Sequence, residues 1–236
     1  MSKKLALSSC TKQATADGIE IAKAGGNAVD AIVAGALSLI VTNPLMCSIS
    51  GGGFVTIRTP DEKVETIDFF GCMPGKGLPD NYIKEKASYE MAYIDFGFDV
   101  NIVKGHATVA VPGTLKGIEL LLKKHGTMPL CDVVKPAINR AKNGFPMNKT
   151  IAGWLLCSSE KVQWHTEESK KLLSTNTGEI IPEGYLFKQS DLANTLESFG
   201  RYGSDILYKG DIGDIYAKEM ADNGGLVTKQ DLELYE

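Results

Sequence analysis

Histidine and cysteine are the residue types in this chain that most often serve as bases, nucleophiles or metal ligands. The five cysteines are widely spaced, and none forms a Cys-x-x-Cys pair or lies at ligand spacing from a histidine. The three histidines, His106, His125 and His165, also stand alone. We therefore expect no metal site and interpret His106 and His125 as surface or helix-capping groups. We interpret the cysteines as reduced thiols in or near the core, which is typical of a cytoplasmic protein.

A glycine-rich run, Ser48–Phe54, is the second place where chemistry could occur. Its glycines are Gly51, Gly52 and Gly53. The run leads into a predicted strand, whereas a phosphate-binding loop is followed directly by a helix N-terminus. We interpret the glycines as a close crossing of two backbone segments. A less favoured alternative is a hydrolase that uses Ser50 or Cys47 as its nucleophile, although no motif places a histidine to activate either side chain.

The 29 acidic residues include no pair whose spacing indicates general acid–base catalysis. Asp30 is the most constrained of them, because it falls in the first turn of an apolar segment predicted to be helical. A carboxylate at that position interacts favourably with the positive end of the helix dipole. We expect Asp30 to have a structural rather than a catalytic role.

Composition and charge exclude several classes of function. The chain has 236 residues, of which 43% are hydrophobic and 23% charged, as is typical of a globular protein. The net charge of -4 argues against nucleic acid or an anionic membrane surface as the main partner. The apolar stretch near the start is too short for an export signal, and the longest apolar run, 31–41, is too short to span a membrane. No linker or repeat divides the chain, so we treat residues 1–236 as a single domain.

Apolar periodicity and turn residues predict the elements that must position these groups. The expected elements of the first half are a helix over 13–24, a helix over 28–41 that is apolar on nearly all sides and must be covered all round, a hairpin with strands 55–59 and 64–69, an excursion with partial helix over 79–101, a buried strand over 107–111 and a helix over 114–124.

The second half is predicted to be mainly helical. The expected elements are a helix that begins at Pro129 and ends at 143–144, helical structure over 151–199 with a polar loop at 175–184, a helix over 214–222, and a helix that begins with a capping box at Thr228. That last helix stops at Glu236 after barely two turns, from which we expect the chain to be part of a longer protein or to continue into a partner chain.

A series of short motifs spans almost the whole chain. They are Gly25–Ala31 (Gly-Gly-Asn-Ala-Val-Asp-Ala), Pro44, Gly51–Phe54 (Gly-Gly-Gly-Phe), Val111–Thr114 (Val-Pro-Gly-Thr), Gly117, His125–Leu130 (His-Gly-Thr-Met-Pro-Leu), Pro136–Ile138, Gly144–Pro146, Gln189–Ala193, Leu207–Gly210 and Asn223–Leu232. In this order they resemble the large subunits of the gamma-glutamyltransferase family.

The resemblance implies an α+β fold, the four-layer αββα sandwich of N-terminal-nucleophile hydrolases, to which this chain would supply the large-subunit helices and some strands. It also implies a precursor that cleaves itself and so creates a nucleophilic threonine at the N-terminus of a small subunit, the partner of this chain. Such a threonine can use its own α-amino group as the base. The implied reaction transfers an acyl group from a small-molecule amide to water or an amine, with no metal or organic cofactor.

Two departures from the family pattern bear on the site. No threonine of this chain matches the family's nucleophile, which would lie further along the precursor. The family's Asp-x-Arg-Glu-x-Ala-Pro, whose arginine would grip the substrate α-carboxylate, corresponds to residues 68–74. Phe70 and Gly71 stand there in place of the arginine and the glutamate, and a phenyl ring cannot form a charge-assisted pair with a carboxylate. A divergent amidase or acylase with a more apolar acyl pocket is therefore an alternative to a gamma-glutamyl enzyme.

The glycine-rich run departs from the pattern as well, since Ser48 and Ser50 occupy positions that are usually glycine. If the backbone needs a positive φ at these positions, the serines would be strained.

Two hypotheses from different classes follow. The first is the N-terminal portion of a gamma-glutamyltransferase-like amide hydrolase or acyltransferase, active only when joined to the portion that carries the threonine. The second is a non-catalytic fragment that acts as a binding or interaction module. Such a fragment would expose the surface that normally packs against the small subunit, and apolar patches of that kind favour self-association.

Overall fold

A computed structural model describes residues 5–95 and 99–236 of the chain. The helices are α1 (Lys12–Lys23), α2 (Ala28–Thr42), α3 (Tyr82–Glu85), α4 (Thr114–His125), α5 (Leu130–Val133), α6 (Lys135–Asn143), α7 (Lys149–Ser158), α8 (Glu167–Leu172), α9 (Ser190–Tyr202), α10 (Asp205–Tyr208), α11 (Asp211–Asp222) and α12 (Lys229–Glu233). The strands are β1 (Phe54–Arg58), β2 (Val64–Asp68), β3 (Glu90–Asp95), β4 (Asp99–Lys104), β5 (Phe145–Pro146) and β6 (Leu186–Phe187). They pair as three antiparallel two-stranded sheets, β1–β2, β3–β4 and β5–β6.

The core lies where α2 packs against α1, α4 and α6, and where α6 packs against α9. An ion pair between the buried Asp17 and the half-buried Arg140 joins α1 to α6. The guanidinium donates to both carboxylate oxygens, with an Nη2–Oδ1 distance of 2.7 Å and an Nε–Oδ2 distance of 3.0 Å. The Ser38 hydroxyl of α2 donates to the same carboxylate at 2.7 Å. A buried charge is tolerated when it is paired and hydrogen-bonded in this way. Three helices are therefore fixed to one another.

The helix α2 begins where the sequence predicts. The Asn27 side chain accepts hydrogen bonds from the backbone N–H groups of Val29 and Asp30, and the Asp30 carboxylate accepts from the Asn27 N–H at 2.7 Å. The same carboxylate also accepts from the N–H and hydroxyl of Thr127 and from the N–H of Met128. Asp30 is fully buried, so its structural role follows from these contacts. It joins the start of α2 to the loop after α4.

The surface of α2 departs from the prediction that this helix is covered all round. Ile32 is exposed, and Ala36 and Leu39 are only half-buried. These residues recur at helical spacing and so form one apolar stripe along the helix. The prediction fails because the elements present in this chain cover the other sides of α2 and leave this stripe open.

The predicted hairpin is confirmed as β1 and β2, which pair from Phe54 opposite Asp68 to Arg58 opposite Val64. Val55, Ile57 and Ile67 pack against the core, while alternate side chains point away from it. This alternation is the pattern of a sheet with one buried face. The hairpin thereby holds its exposed residues, including Phe54, on the side away from the core.

The prediction of a buried strand over 107–111 is wrong. His106–Thr108 form a single 3-10 turn, in which the N–H and the hydroxyl of Thr108 both donate to the Gly105 carbonyl. Within this segment, the β-type pairing is limited to Val111, which forms an isolated antiparallel bridge with Cys72. Val109 and Val111 pack against the core without strand pairing on both sides, and packing of this kind is a known weakness of β-propensity as a signal.

The polar and aromatic excursion predicted over 79–101 contains the expected partial helix, α3. It also contains β3 and the start of β4, a hairpin that the sequence does not predict; residues 96–98 lie outside the described residues. Ala92 and Ile94 are buried and alternate with exposed Met91 and Tyr93. This period of two is the pattern that indicates a strand here.

The single helix predicted from Pro129 is divided into α5 and α6. Pro136 has no N–H to donate to the carbonyl four residues earlier, so the helical ladder is interrupted there. The region 151–199 contains α7, a π-helical turn at Ser159–Gln163, α8 and most of α9, with the predicted polar loop between α8 and β6. The predictions over 13–24, 114–124 and 214–222 are confirmed as α1, α4 and α11.

The capping box at Thr228 is present, since the Thr228 hydroxyl accepts from the Asp231 N–H and the Asp231 carboxylate accepts from the Thr228 N–H at 2.9 Å. The cysteines are free thiols, but their predicted place in or near the core is wrong for four of them. Cys47 is half-buried, and the exposed ones are Cys10, Cys72, Cys131 and Cys157. No helix in the described part of the chain is long and apolar enough to cross a membrane.

We predict that Asp30→Asn lowers the free energy of unfolding by about 1–3 kcal/mol at neutral pH, the usual cost of unpairing buried hydrogen-bonding groups. Burial opposes ionisation of this carboxyl, but hydrogen bonds from Thr127, Asn27 and Met128 outweigh it and hold its pKa below the ordinary value of 3.8. The stabilisation is therefore fully present above that value and is lost as the pH falls through the lowered folded pKa.

Urea unfolding of both proteins from neutral pH down to about pH 3 measures this contribution. The difference between wild type and Asp30→Asn should shrink at the acid end. Asp191→Asn is the matched control, because Asp191 is an exposed carboxylate in the first turn of α9. Equal stability of Asp30→Asn and Asp191→Asn would contradict the structural role.

Candidate functional site

The glycine-rich run crosses the end of the β1–β2 hairpin at very short range. A Cβ atom added to Gly52 would lie 2.8 Å from the Gly71 nitrogen and 2.9 Å from the Phe69 carbonyl oxygen. Neither Gly51, Gly52 nor Gly53 has a positive φ, so these positions need glycine for close approach and not for backbone conformation. The predicted backbone crossing is confirmed.

Hydrogen bonds fix the crossing on both sides. Gly53 and Phe69 exchange N–H···O bonds of 3.2 and 2.9 Å, and the Gly51 carbonyl accepts from Gly113 at 2.8 Å and from Thr114 at 3.1 Å. A Cβ atom on Gly113 would lie 2.0 Å from the Phe69 carbonyl oxygen. The run is therefore held between the hairpin and the first residues of α4.

The serines of the run are not strained. Among the described residues, Glu62 is the one non-glycine residue with a positive φ, so Ser48 and Ser50 adopt ordinary backbone conformations. The Ser48 hydroxyl accepts from the Ser50 N–H at 2.9 Å, which closes a local turn. The backbone strain that a positive φ would cause at Ser48 and Ser50 is therefore absent.

Phe70 lies two residues beyond the end of β2, and its side chain is 59% exposed. Its ring stacks on that of Phe54, with centroids 5.3 Å apart and an interplanar angle of 12°. Such a pair contributes about 0.5–1.5 kcal/mol beyond the area that it buries. Gly71 follows with a backbone that runs against Ala110, where a Cβ atom would lie 2.9 Å from the alanine methyl. The substrate-binding role of Phe70 and Gly71 stays a prediction.

Tyr235, near the end of the chain, binds the backbone of the segment after β2. The Tyr235 hydroxyl donates to the Phe70 carbonyl at 2.9 Å. Burial, together with the nearby Cys72 and Asp68, raises the pKa of Tyr235 to about 12, so its phenol stays a neutral donor at physiological pH. Lys116 of α4 donates to the Tyr235 carbonyl. The carbonyl group of Phe70 therefore has a fixed position.

Asp231 fixes the next few residues in the same way. Its buried carboxylate accepts from the backbone N–H of Gly75 at 2.8 Å and of Lys76 at 3.0 Å, while the Thr228 hydroxyl donates to the Lys76 carbonyl. The α12 segment thus holds the chain from Phe70 to Lys76 through backbone contacts.

Sequence reasoning identified Thr228 and Asp231 as a helix cap but missed their contact with the segment after β2. No local pattern indicates this contact, since Gly75 and Asp231 are far apart in sequence. Tyr235 was missed for the same reason. Phe54 was noted as the end of a motif, and its outward place in the strand alternation is the signal that could have identified it as a surface residue.

An apolar cleft of about 420 Å³ lies beside the crossing. Its lining residues are Ile32, Val33, Ala36, Leu39, Ile40, Pro44, Leu45, Met46, Cys47, Ser48, Gly51, Gly52, Gly53, Phe54, Val55, Phe69, Thr114, Ile118 and Leu121. The open stripe of α2 forms one wall and Phe54 part of another. None of these lining side chains carries a charge. A volume of this size falls in the range of small-molecule sites.

The surroundings of Ser50 and Cys47 do not support a nucleophilic role for either side chain. Burial, with a smaller effect of nearby Cys10, raises the pKa of the Cys47 thiol, whereas a reactive cysteine needs a lowered pKa. The three histidines lie beside other carboxylates: His125 is 3.0 Å from Glu65, His106 is 3.7 Å from Glu219, and His165 is 3.6 Å from Glu90. In residues 5–95 and 99–236, no three His, Cys, Asp or Glu side chains converge as metal ligands would.

The sequence profile of the gamma-glutamyltranspeptidase family matches residues 14–236. The chain belongs to the gamma-glutamyltranspeptidase family. It is 37% identical over 222 residues to the glutathione hydrolase proenzyme of Escherichia coli (strain K12), an alignment that covers 94% of this chain and 37% of that protein. It is 36% identical to the Acylase ACY 1 proenzyme of Pseudomonas sp. (strain V22), with 94% of this chain and 39% of that protein covered.

The crystal structure of the Helicobacter pylori gamma-glutamyltranspeptidase superposes on this chain with a TM-score of 0.85 at 31% identity. The superposition covers 100% of this chain and 65% of that one. The α+β fold of a gamma-glutamyltranspeptidase-type N-terminal-nucleophile hydrolase is therefore confirmed, as is the family resemblance. The chain corresponds to the N-terminal portion of such a protein.

We predict that Gly52→Ala destabilises the protein by about 1–3 kcal/mol, the usual cost of overpacking. The added methyl would meet three backbone atoms, which cannot move unless the crossing itself shifts. Gly153→Ala in α7 is the control, since nothing lies within 4 Å of its added Cβ atom. That change should stabilise the helix by about 1 kcal/mol. Thermal unfolding measures both, and a Gly52→Ala protein as stable as wild type would show that the crossing is not tight.

Proposed function

We propose that this chain is the large-subunit portion of a self-cleaving amide hydrolase or acyltransferase, whose nucleophilic threonine lies outside the chain. The observation that carries the proposal is the 37% identity to a glutathione hydrolase proenzyme across 94% of this chain. The likeness to an acylase proenzyme at 36% identity supports the broader reaction class, which is amide cleavage. Because the chain spans 37% and 39% of these two proteins, the activity belongs to a longer protein or to a complex.

In the proposed reaction, the threonine Oγ attacks the amide carbonyl carbon of the substrate, and the threonine α-amino group accepts the hydroxyl proton. The tetrahedral intermediate collapses, the C–N bond breaks, and the leaving amine takes that proton. The acyl group is now an ester on the threonine. Water or a second amine then attacks the ester carbonyl carbon and gives a proton to the α-amino group as base. The bond between the acyl carbon and the threonine Oγ breaks, Oγ takes that proton, and the acid or the new amide leaves with the threonine restored.

The role proposed for this chain is to build one wall of the acyl site. The resemblance implies that the segment from Asp68 to Pro74 corresponds to the family motif that contacts the substrate, although Phe70 and Gly71 replace its arginine and glutamate. The crossing at Gly52 together with Tyr235 gives that segment a fixed backbone. A positioned wall is what an acyl-transfer site needs, since the reacting carbonyl must be held in line with the nucleophile. The partner that completes the site is the small subunit with the threonine.

We propose that the protein is cytoplasmic. The support is chemical: all five cysteines are free thiols, and four of them are exposed. Exposed thiols persist in a reducing compartment and are oxidised or paired in an oxidising one.

A second candidate function is a non-catalytic interaction module, which the apolar surface of the chain favours. Exposed apolar side chains of the cleft and its rim are Ile32, Met46, Phe54 and Phe70. Exposed apolar patches typically mark interfaces. Light scattering of the isolated chain tests this idea: self-association at micromolar concentration supports it, and a clean monomer argues against it.

We predict that the protein made from this chain together with its downstream coding sequence cleaves itself and then hydrolyses amides. A denaturing gel should show two fragments, and N-terminal sequencing of the smaller fragment should begin with threonine. Substitution of that threonine by alanine should leave the precursor uncut and inactive, because the nucleophile is lost. A protein that hydrolyses amides without cleavage, or one that neither cleaves nor hydrolyses, contradicts the proposal.

A further inference from the structure

A second pocket of about 420 Å³ lies where the N-termini of α1 and α7 meet, and its lining is largely polar. Lys12 and Gln13 line it from the first turn of α1, and Lys149 and Thr150 line it from the first turn of α7. The two helices have 12 and 10 residues, so each brings the positive end of a helix dipole to the pocket.

The N-cap side chains leave backbone donors of both helices unused. Thr11 accepts from the N–H of Ala14, and Asn148 accepts from the N–H of Ile151. The N–H groups of the four lining residues named above have no acceptor within residues 5–95 and 99–236. Free N–H groups at a helix N-terminus bind anions, and here two helices supply them to one pocket.

Asn43 adds a buried amide that has no partner. The residue is 8% exposed and lines the same pocket. Its Oδ1 is buried and accepts no hydrogen bond from any described part of the chain. Buried acceptors in folded proteins are nearly always paired, so this amide indicates a bound molecule that donates to it.

The charges around the pocket favour an anion. Lys12 and Lys149 bring two ammonium groups, neither of which is paired with a carboxylate in the described residues, and Glu183 brings one carboxylate. The pocket is therefore locally positive in a chain whose net charge is -4. Donors from two helices and two lysines suit a phosphate better than a carboxylate, because a phosphate has more acceptor oxygens.

We propose that this pocket binds a free phosphate group that carries a hydrogen-bond donor, as inorganic phosphate does at neutral pH. The phosphate oxygens accept from the free N–H groups of α1 and α7 and from Lys12 and Lys149. The P–OH group donates to the Oδ1 of Asn43. This site goes beyond the proposed function and does not depend on it, since none of these residues belongs to the segment from Asp68 to Pro74.

The test uses the full-length protein and the reactivity of Cys10, an exposed thiol that also lines the pocket. N-ethylmaleimide labels the protein in inorganic phosphate, sulfate or chloride at one ionic strength, so that screening is equal in the three series. Peptide mass spectrometry gives the labelling rate of each cysteine. Cys131 is the control, because it is exposed and lies outside the pocket lining.

We expect phosphate to slow the labelling of Cys10 in a saturable way, since a bound anion covers the thiol and opposes its ionisation. Sulfate has a similar shape but no hydroxyl at neutral pH. It should need at least about a fivefold higher concentration for half of the effect, because the Oδ1 of Asn43 would stay unpaired. The labelling rate of Cys131 should not change.

Variants separate the charge of the pocket from its acceptor. Lys149→Gln should weaken both anions about fivefold or more, and Glu183→Gln should strengthen both. Asn43→Leu should keep sulfate binding and remove the advantage of phosphate. Lys23→Gln is the matched control, because Lys23 is exposed in the last turn of α1 and outside the pocket lining; it should change neither anion.

Thermal unfolding of each variant serves as the folding control, and Lys149→Gln decides the matter if Asn43→Leu does not fold. A Cys10 rate that phosphate leaves unchanged, or equal slowing of Cys10 and Cys131, would overturn the inference. Unchanged phosphate binding in a folded Lys149→Gln protein would do the same. Resistance of Cys10 to labelling without any anion would show that another part of the full-length protein occupies the pocket, and this result also overturns the inference.

Discussion

The crossing of Gly52 over the backbone of Phe69–Gly71 is the constraint on which the rest of the site depends. Two chain segments pass so closely that a single added carbon would meet backbone nitrogen and oxygen within 3 Å. This contact joins the end of the β1–β2 hairpin to the glycine-rich run, and through the Gly51 carbonyl to the start of α4. Because the contacts are between backbone atoms, they set the place of Phe54 and Phe70 whatever side chains surround them.

The end of the chain stabilises the other side of the same segment. Tyr235 and Asp231 bind the backbone of Phe70, Gly75 and Lys76, so residues that are far apart in sequence share one small region. Each of these bonds reaches a backbone group that the hairpin itself leaves unpaired. The fold therefore fixes the segment after β2 from the glycine-rich run on one side and from α12 on the other.

Features of the fold that depend on neighbouring residues could be predicted from the sequence. Asn27 and Thr228 mark helix starts because their side chains bond to backbone groups only a few positions away. Alternation in β1 and β2 predicts the hairpin for an equally local reason. Local information fails over 107–111, because Val109 and Val111 are typical of strands but pack against distant elements without forming one.

In the candidate site, too, the features set by neighbouring residues can be predicted from the sequence, and those set by distant residues cannot. The exchange of the family arginine for Phe70 is visible in the sequence, but its stacking on Phe54 requires the register of the hairpin. The contact of Tyr235 with Phe70 depends on the whole intervening chain, and no period or motif specifies it. Likewise, the sequence of α2 does not show which of its sides stays uncovered, because the segment is apolar on all sides. Only the packing of neighbouring elements decides which side stays open.

The central claim is that the segment held by the Gly52 crossing and by Tyr235 forms one wall of the site that the threonine completes. A crystal structure of the self-cleaved full-length protein tests it most directly. The account predicts that the segment from Asp68 to Pro74 lines the same cavity as the threonine Oγ, with the hydrogen bond from Tyr235 to the Phe70 carbonyl kept. A structure in which this segment lies away from the threonine would contradict it.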